Sequence, residues 1–394
     1  MEPKRVRKRK ANGSANIYDV AKRAGVSVFT VSAVINKTGQ SSVALQRRVE
    51  AAIRQLNYRP NLLARSLAKQ KTHTLGMIVT DIANPFFPLV VRGAEDTAQK
   101  AGYSILLCNS DNQREKEEMY LDLLISKRVD GILLTVAPGP INPTVHRMLT
   151  DAKVPIVLVM RTSPDLEYDA VLTDDYRGAF EGVSHLARVG HRRIAFVSGP
   201  REVSNGADRW KGYRKALRAC GLRYDPELTV EGDYRIESGY RAGLVLLPRR
   251  PDAVFVANYL MTVGLMQAAD EMGMSCPEDY ALASFDDYPW LRCFRPRLTA
   301  VEIPKYELGA RSTQVLLERI SGKEGKILIQ HLAPQLCVRE SCGFIRNIQN
   351  SHAELATLHS TSRKNGNDLT NPVHVTEQVL GVPQELSIAT NRRG

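Results

Sequence analysis

From about residue 72 to residue 320 the chain repeats one grammar. Short runs rich in Val, Ile and Leu fall at 75–80, 104–108, 131–136, 154–160, 193–198, 253–257 and 281–285. Longer amphipathic stretches separate them, at 87–101, 114–127, 144–152, 176–189, 208–220, 237–247, 260–272 and 306–320. Apolar runs of this length between helical periods read as parallel strands buried on both faces, each joined to the next by a crossover helix. At about 270 residues this body is too long for one open sheet, so two α/β lobes are expected.

The first 71 residues have another texture. Residues 1–15 are basic and polar with no apolar period, which predicts a flexible arm. Asn16 can cap a helix over 17–24 that Gly25 ends, Ser27 can cap 28–36, and Ser42 can cap a third helix running to Leu56. Val49, Ile53 and Leu56 then share one face of the third helix. Pro60 suits the start of a further helix over 61–68. Beyond residue 344 the rhythm stops and Asn, Thr, Ser and His accumulate, which predicts a disordered or weakly ordered tail over 345–394.

Charge follows the same division. The chain carries 54 Lys and Arg against 42 Asp and Glu, a net +12. Residues 1–71 hold sixteen basic and three acidic side chains, or +13, so the other 323 residues carry −1. A clustered surplus of this size points to a polyanion. A membrane span is excluded, because the apolar runs fall far short of about 20 residues. The basic run 4–10 has no apolar segment behind it and does not read as a secretory signal. Six scattered cysteines (108, 220, 276, 293, 337, 342) read as reduced thiols of a cytoplasmic protein. Cys337 and Cys342 are close, but no His or second pair completes a metal site, so none is expected.

The stretch 17–36 has helix-turn-helix grammar. Ala21 lets two helices approach, Gly25 supplies the turn, and Val20, Val31 and Val34 can make the inner contacts. Ser27, Val28 and Phe29 then open the second helix, where side chains reach base edges in the major groove. With the local +13, this favours DNA binding over a generic helical bundle.

Several ordered motifs extend that reading. They are Tyr18-Asp-Val-Ala-Lys-Arg-Ala-Gly-Val-Ser27, Thr30-Val-Ser32, Asn57-Tyr-Arg-Pro-Asn-Leu-Leu-Ala-Arg-Ser-Leu67, Ile82-Ala-Asn-Pro-Phe-Phe87, Lys127-Arg-Val-Asp-Gly-Ile132, Gly190-His-Arg-Arg-Ile-Ala195 and Ser284-Phe-Asp-Asp287. On these, residues 16–342 resemble the LacI family of bacterial transcription regulators. The resemblance implies a small all-α helix-turn-helix DNA-binding domain (16–59). A hinge helix and linker (60–71) would join it to a two-lobed α/β periplasmic-binding-protein-like effector and dimerisation domain (72–344). Lobe 1 would take about 72–173 and 304–330, and lobe 2 about 174–303 and 331–344.

It further implies DNA contacts from Tyr18, Ser27, Val28, Phe29, Thr30, Ser32, Ala33 and Asn36. In the hinge, Leu67 would wedge into the minor groove with Asn61 and Ala64 beside it, kinking the DNA. One departure matters. Most members carry arginine at Ala33, and alanine cannot make the bidentate guanine contact worth about 1–3 kcal/mol of discrimination. A half-site differing from the common family one is expected at the base facing Ala33. The arm reads equally as a solvated charge run or as added phosphate contact.

Between the lobes the resemblance implies a small polar effector, a carbohydrate or sugar acid, held by Phe86, Phe87, Arg161, Asn205, Arg209, Tyr234, Asn258 and Asp286. Arg209 offers a fork of donors and Asp286 accepts from hydroxyls. Phe86, Phe87 and Tyr234 offer apolar faces. Arg209 and Asp286 could instead pair with each other. Met160 and Tyr259 stand where many members carry aspartate, and Arg161 with Arg209 would then favour an acidic ligand.

The function expected is a DNA-binding transcriptional regulator, a repressor, acting as a homodimer on a palindromic operator. The tail has no leucine heptads to favour a tetramer. No cofactor and no membrane partner are expected. A sugar-binding protein of a transport system is the alternative; it predicts an export signal and no basic head. An enzyme is disfavoured, since no G-x-G-x-x-G, Walker A, H-E-x-x-H or G-x-S-x-G motif occurs. His185 and His191 read as packing or capping residues.

Overall fold

A computed structural model describes residues 15–36, 42–58 and 71–343. The arm, the hinge positions Asn61, Ala64 and Leu67, and the tail from 345 onward lie outside the described residues.

The head holds three helices among its described residues: α1 (Ile17–Ala24), α2 (Val28–Asn36) and α3 (Val43–Gln55). Asn16 is extended, and its side chain accepts the N–H groups of Tyr18 and Asp19. Asp19 returns a bond to the Asn16 N–H, closing a capping box. Gly25 stops α1 at φ 64, a left-handed state that a Cβ disfavours. Arg48 of α3 then donates to the carbonyls of Ala24 and Gly25, satisfying acceptors that the end of α1 leaves open. Ser42 caps α3 through the Leu45 N–H. Val20, Ala21, Ala24, Val31, Val49 and Ala52 form the core, with Val34, Ile53 and Leu56 against it, as the helical spacing predicts.

The described residues divide into two compact units. The first draws on the described residues up to Leu172 and on Lys305–His331, the second on Thr173–Pro304 and the described residues from Leu332 on. The first contains a six-stranded sheet of β1 (Thr74–Val79), β2 (Ser104–Asn109), β3 (Gly131–Leu134), β4 (Ile156–Val159), β5 (Asp169–Thr173) and, late in the chain, β11 (Ile329–Leu332). Its order is β11-β5-β4-β3-β1-β2, and β1 to β5 run parallel. Four helices accompany it: α4 (Phe86–Lys100), α5 (Arg114–Ser126), α6 (Pro143–Ala152) and α11 (Lys305–Ile320). Helices α4 and α11 meet backbone to backbone. A Cβ on Gly93 would lie 2.0 Å from the Tyr306 carbonyl oxygen, and one on Gly309 would lie 1.8 Å from that of Val90. Only glycine permits so close an approach.

The second sheet comprises β6 (Ile194–Ser198), β7 (Thr229–Glu231), β8 (Ala253–Val256), β9 (Ala281–Phe285), β10 (Thr299–Glu302) and β12 (Gln335–Cys337), in the order β12-β10-β9-β8-β6-β7. Only the β10–β12 pair is antiparallel. Its helices are α7 (Asp175–Val189), α8 (Ser204–Ala219), α9 (Ile236–Leu246) and α10 (Tyr259–Glu271).

The apolar runs became strands, but β5, β7, β10, β11 and β12 had no such signal. Strand β5 opens on a charge: Asp169 accepts two bonds from Arg319, at 2.7 and 2.9 Å, and one from the Leu328 N–H. Strands β7, β11 and β12 sit at sheet edges and are only partly buried, so no unbroken apolar run marks them.

His185 and His191 pack, as read. His185 Nε2 lies 3.2 Å from Cys342 Sγ, and His191 Nε2 lies 2.9 Å from the Cys342 carbonyl oxygen. Burial, with Arg188 and His191 nearby, lowers the His185 pKa to about 4. The folded imidazole therefore stays neutral where the unfolded one, near 6.5, takes a proton. Stability is full above pH 6.5 and falls as pH drops toward 4. Thermal unfolding should show a drop over that window of up to a few kcal/mol. The same scan on His185→Gln should be flatter.

Candidate DNA and effector sites

On the head, two large side chains are left in water. Tyr18 on α1 is 71% exposed and Phe29, in the first turn of α2, is 83% exposed. Neither ring belongs to the head core. Ser27 accepts the Thr30 N–H, and the two hydroxyls lie 2.9 Å apart, so the pair also caps α2. Val28 is half-buried and packs partly against the head core. Ser32 and Ala33 are half-buried on α2, and Asn36 is its last residue.

In the first α/β unit, Phe86 and Phe87 open α4 and are buried edge to face, 5.3 Å apart. Both count among the buried hydrophobic side chains of that unit. Arg161 follows β4 and is buried; its Nη1 donates to Asn112 Oδ1 at 2.7 Å and to the Val136 carbonyl at 3.3 Å. Met160 beside it is buried at φ 68.

The second unit collects its candidates at the carboxyl ends of its strands, where open α/β sheets bind ligands. Arg209 on α8 and Asp175 at the start of α7 are each 3% exposed. Arg209 reaches Asp175 Oδ1 through Nε at 2.7 Å and Nη2 at 2.6 Å, while Nη1 donates to the Ala257 carbonyl. The guanidinium also lies 3.9 Å above the Phe285 ring. Burial opposes its charge, but Asp175, then Tyr234 and Asp286, hold the pKa above the usual arginine value. The partner of Arg209 is thus Asp175, which the sequence reading missed, and not Asp286. The available signal was Thr173-Asp-Asp175 at a strand end, and Thr173 indeed bonds Asp175 at 2.6 Å.

Asp286 follows β9 at φ 72, and its buried Oδ1 has no partner among the described residues. Asn205 Oδ1 and Ser198 Oγ are in the same state. An unmatched buried polar atom costs about 1–3 kcal/mol, so a ligand or water is expected to meet these three. Asn258 caps α10 through the Met261 N–H and donates to the Tyr234 carbonyl, so both ends of its amide are engaged. Tyr234, at φ 68, lies against Gly199, where a Cβ would fall 2.1 Å from its ring. Tyr259 joins Tyr288 and Trp290 in an aromatic cluster, the last two stacked 4.7 Å apart.

The Arg209 charge is met by Asp175, whereas the bonds of Arg161 include two to neutral groups, the Asn112 amide and the Val136 carbonyl. Asp287, Glu302 and Cys337 gather within 4.8 Å of one another, but Arg339 already grips Asp287 through two bonds. None of the six cysteines is in a disulfide. No described helix is long and apolar enough to cross a membrane.

Comparison with known proteins agrees with this geometry. Residues 16–61 match the family model for bacterial regulatory proteins of the lacI family, and residues 183–342 match that for a periplasmic binding protein-like domain. The HTH-type transcriptional repressor PurR of Pectobacterium carotovorum is 36% identical over 331 residues, 83% of this chain and 96% of that protein. Among solved structures, the lac repressor dimer bound to operator and the anti-inducer ONPF aligns at a TM-score of 0.75. Its identity is 27%, over 84% of this chain and 99% of that one. The transcriptional regulator CelR–cellobiose complex aligns at 0.64 with 32% identity, over 83% and 99%.

Proposed function

Because this chain belongs to the LacI family of bacterial regulatory proteins, we propose that it is a transcriptional repressor that binds a palindromic operator as a homodimer and answers to a neutral, hydroxyl-rich metabolite. The observation that carries the reading is the head: a net +13 within 71 residues, with Phe29 and Tyr18 bare at the start of its helices. Backbone phosphates meet the charge, and the first turn of α2 enters the major groove.

A second copy would cover the edge of the first sheet. Leu106 and Leu107 on edge strand β2, Leu89 on α4, and Met119 and Leu123 on α5 are all exposed there. Two heads on a two-fold axis then read two half-sites. The lac repressor was solved as a dimer bound to operator.

The effector class follows from donor and acceptor counting. Asp286 Oδ1 can only accept, Asn205 Oδ1 accepts, and Ser198 can do either. A ligand rich in hydroxyl or amino hydrogens satisfies all three, and the Tyr288–Trp290 stack offers a ring a flat neighbour. The CelR structure carries such a ligand, the disaccharide cellobiose. The ligand moves operator affinity only by its preference between two states, typically about 5–150-fold.

The test begins with selection of duplex DNA from a randomised pool by the full chain. The selected fragment is then titrated with panels of neutral sugars, nucleosides and sugar acids. Enrichment of a palindrome whose affinity shifts with a neutral polyhydroxyl compound is the expected result. Asp286→Ala should keep DNA binding and lose the shift. No enriched palindrome would overturn the repressor reading, and a response to acids alone would overturn the ligand class.

A further inference from the structure

The first α/β unit holds the chain that arrives from the head by an unusual device. Strand β1 begins at Thr74, where its ladder with β2 and β3 takes over. The two residues before it are gripped by one carboxylate in the turn between α5 and β3. Asp130 Oδ1 accepts the Thr72 N–H at 2.9 Å and the Thr72 hydroxyl at 3.1 Å, and Oδ2 accepts the His73 N–H at 2.8 Å. The Thr72 hydroxyl also reaches the Arg128 carbonyl at 2.9 Å, and the Asp130 N–H bonds the Thr74 carbonyl at 2.8 Å. His73 sits at φ 53, a state that disfavours any residue with a Cβ, and its ring lies 5.2 Å from that of Tyr103. A strand start needs none of this, since β1 is already paired on both sides.

We propose that Asp130 is a positioning residue for operator binding: its clasp on Thr72 and His73 fixes the point at which the segment leading to each head leaves this unit. The proposal rests on the two-headed reading above. Without the clasp, two more residues join each connection, adding about 3.3–3.6 Å apiece. A dimer must deliver its heads to half-site centres about 34–36 Å apart, and slack in the connections dilutes the second head around its half-site. Single-head binding does not depend on that slack.

The experiment uses the full chain and the selected DNA, once as the whole palindrome and once as an isolated half-site. Asp130→Ala should weaken whole-site binding more than twofold and half-site binding less than twofold. Asp130→Asn, which keeps one accepting oxygen, should fall between. Thr72→Val should weaken whole-site binding in the same sense, and the Asp130→Ala, Thr72→Val double variant should be little worse than Asp130→Ala alone. Equal losses on both DNAs would mark plain structural damage and overturn the proposal, as would no loss on either. If Asp130→Ala does not fold, Asp130→Asn and Thr72→Val decide by the same ratio. A wild-type chain with no preference for the whole site would instead overturn the two-headed reading beneath it.

Discussion

Replacing Asp175 by Ala should cost the second unit about 3–5 kcal/mol, the largest loss expected from any single substitution in it. The reason is what remains rather than what is removed. Arg209 stays 97% out of water, with the Ala257 carbonyl, the Phe285 and Tyr234 faces and the unbonded Asp286 charge left to answer its own. A lone buried cation is far costlier than a matched pair, whose two halves roughly offset their own desolvation. Urea unfolding with a fluorescence signal from the tryptophans, Trp210 and Trp290, reads the loss directly. Asp175→Ala combined with Arg209→Leu should recover much of it, because no charge is then stranded. A double variant as unstable as Asp175→Ala alone would mean that packing, not charge, dominates here. The pair also shapes the site, since Arg209 lies under Tyr234 at 5.9 Å and against Phe285 at 3.9 Å. Asp175→Ala should therefore lose the effector response under conditions where it is still folded.

Cutting the chain after Lys71 should abolish operator binding by the larger piece while sparing its ligand binding. The piece from Thr72 onward carries −1, so it has no electrostatic hold on phosphate. It keeps both sheets and the open acceptors at Asp286, Asn205 and Ser198. The smaller piece keeps its own core around Val20, Val31 and Val49. It should bind DNA with a steep salt dependence but without the gain from two tethered heads, about 100-fold or more weaker than the whole protein. Retardation assays at two salt concentrations, with ligand titration of the larger piece, separate the two outcomes. Residual operator affinity in the larger piece would mean that the α/β body has a DNA surface of its own.

Much of this molecule is legible before folding because local chemistry dictates it. Asn16, Gly25 and Ser42 do at the helix ends what their side chains, or the lack of one, predict. The central strands announce themselves as unbroken apolar runs. Strand β5 did not, because its first residue is an aspartate whose partner, Arg319, lies 150 positions away in the chain. The same long-range pairing hid Asp175. A carboxylate at a strand end reads as a solvated cap until the helix carrying Arg209 is laid across it. Among the site residues, Asp286 has an open oxygen, Phe86 and Phe87 are buried, and Asn258 caps a helix. Residue type foretold the chemistry of each; only packing could say whether that chemistry was already spent.

Helix α11 has a consequence in time. It completes the first unit by seating Gly309 on Val90 and Gly93 on Tyr306, yet it follows the 132 residues of Thr173–Pro304 in the chain. At a synthesis rate of about 5–20 residues per second, the ribosome needs on the order of ten seconds to cross that interval. Throughout it, the face of α4 that α11 will cover has no mate, while the second unit is being made. A nascent chain stalled before Lys305 should thus resist protease in its second unit sooner than in its first, reversing the order in which the two begin.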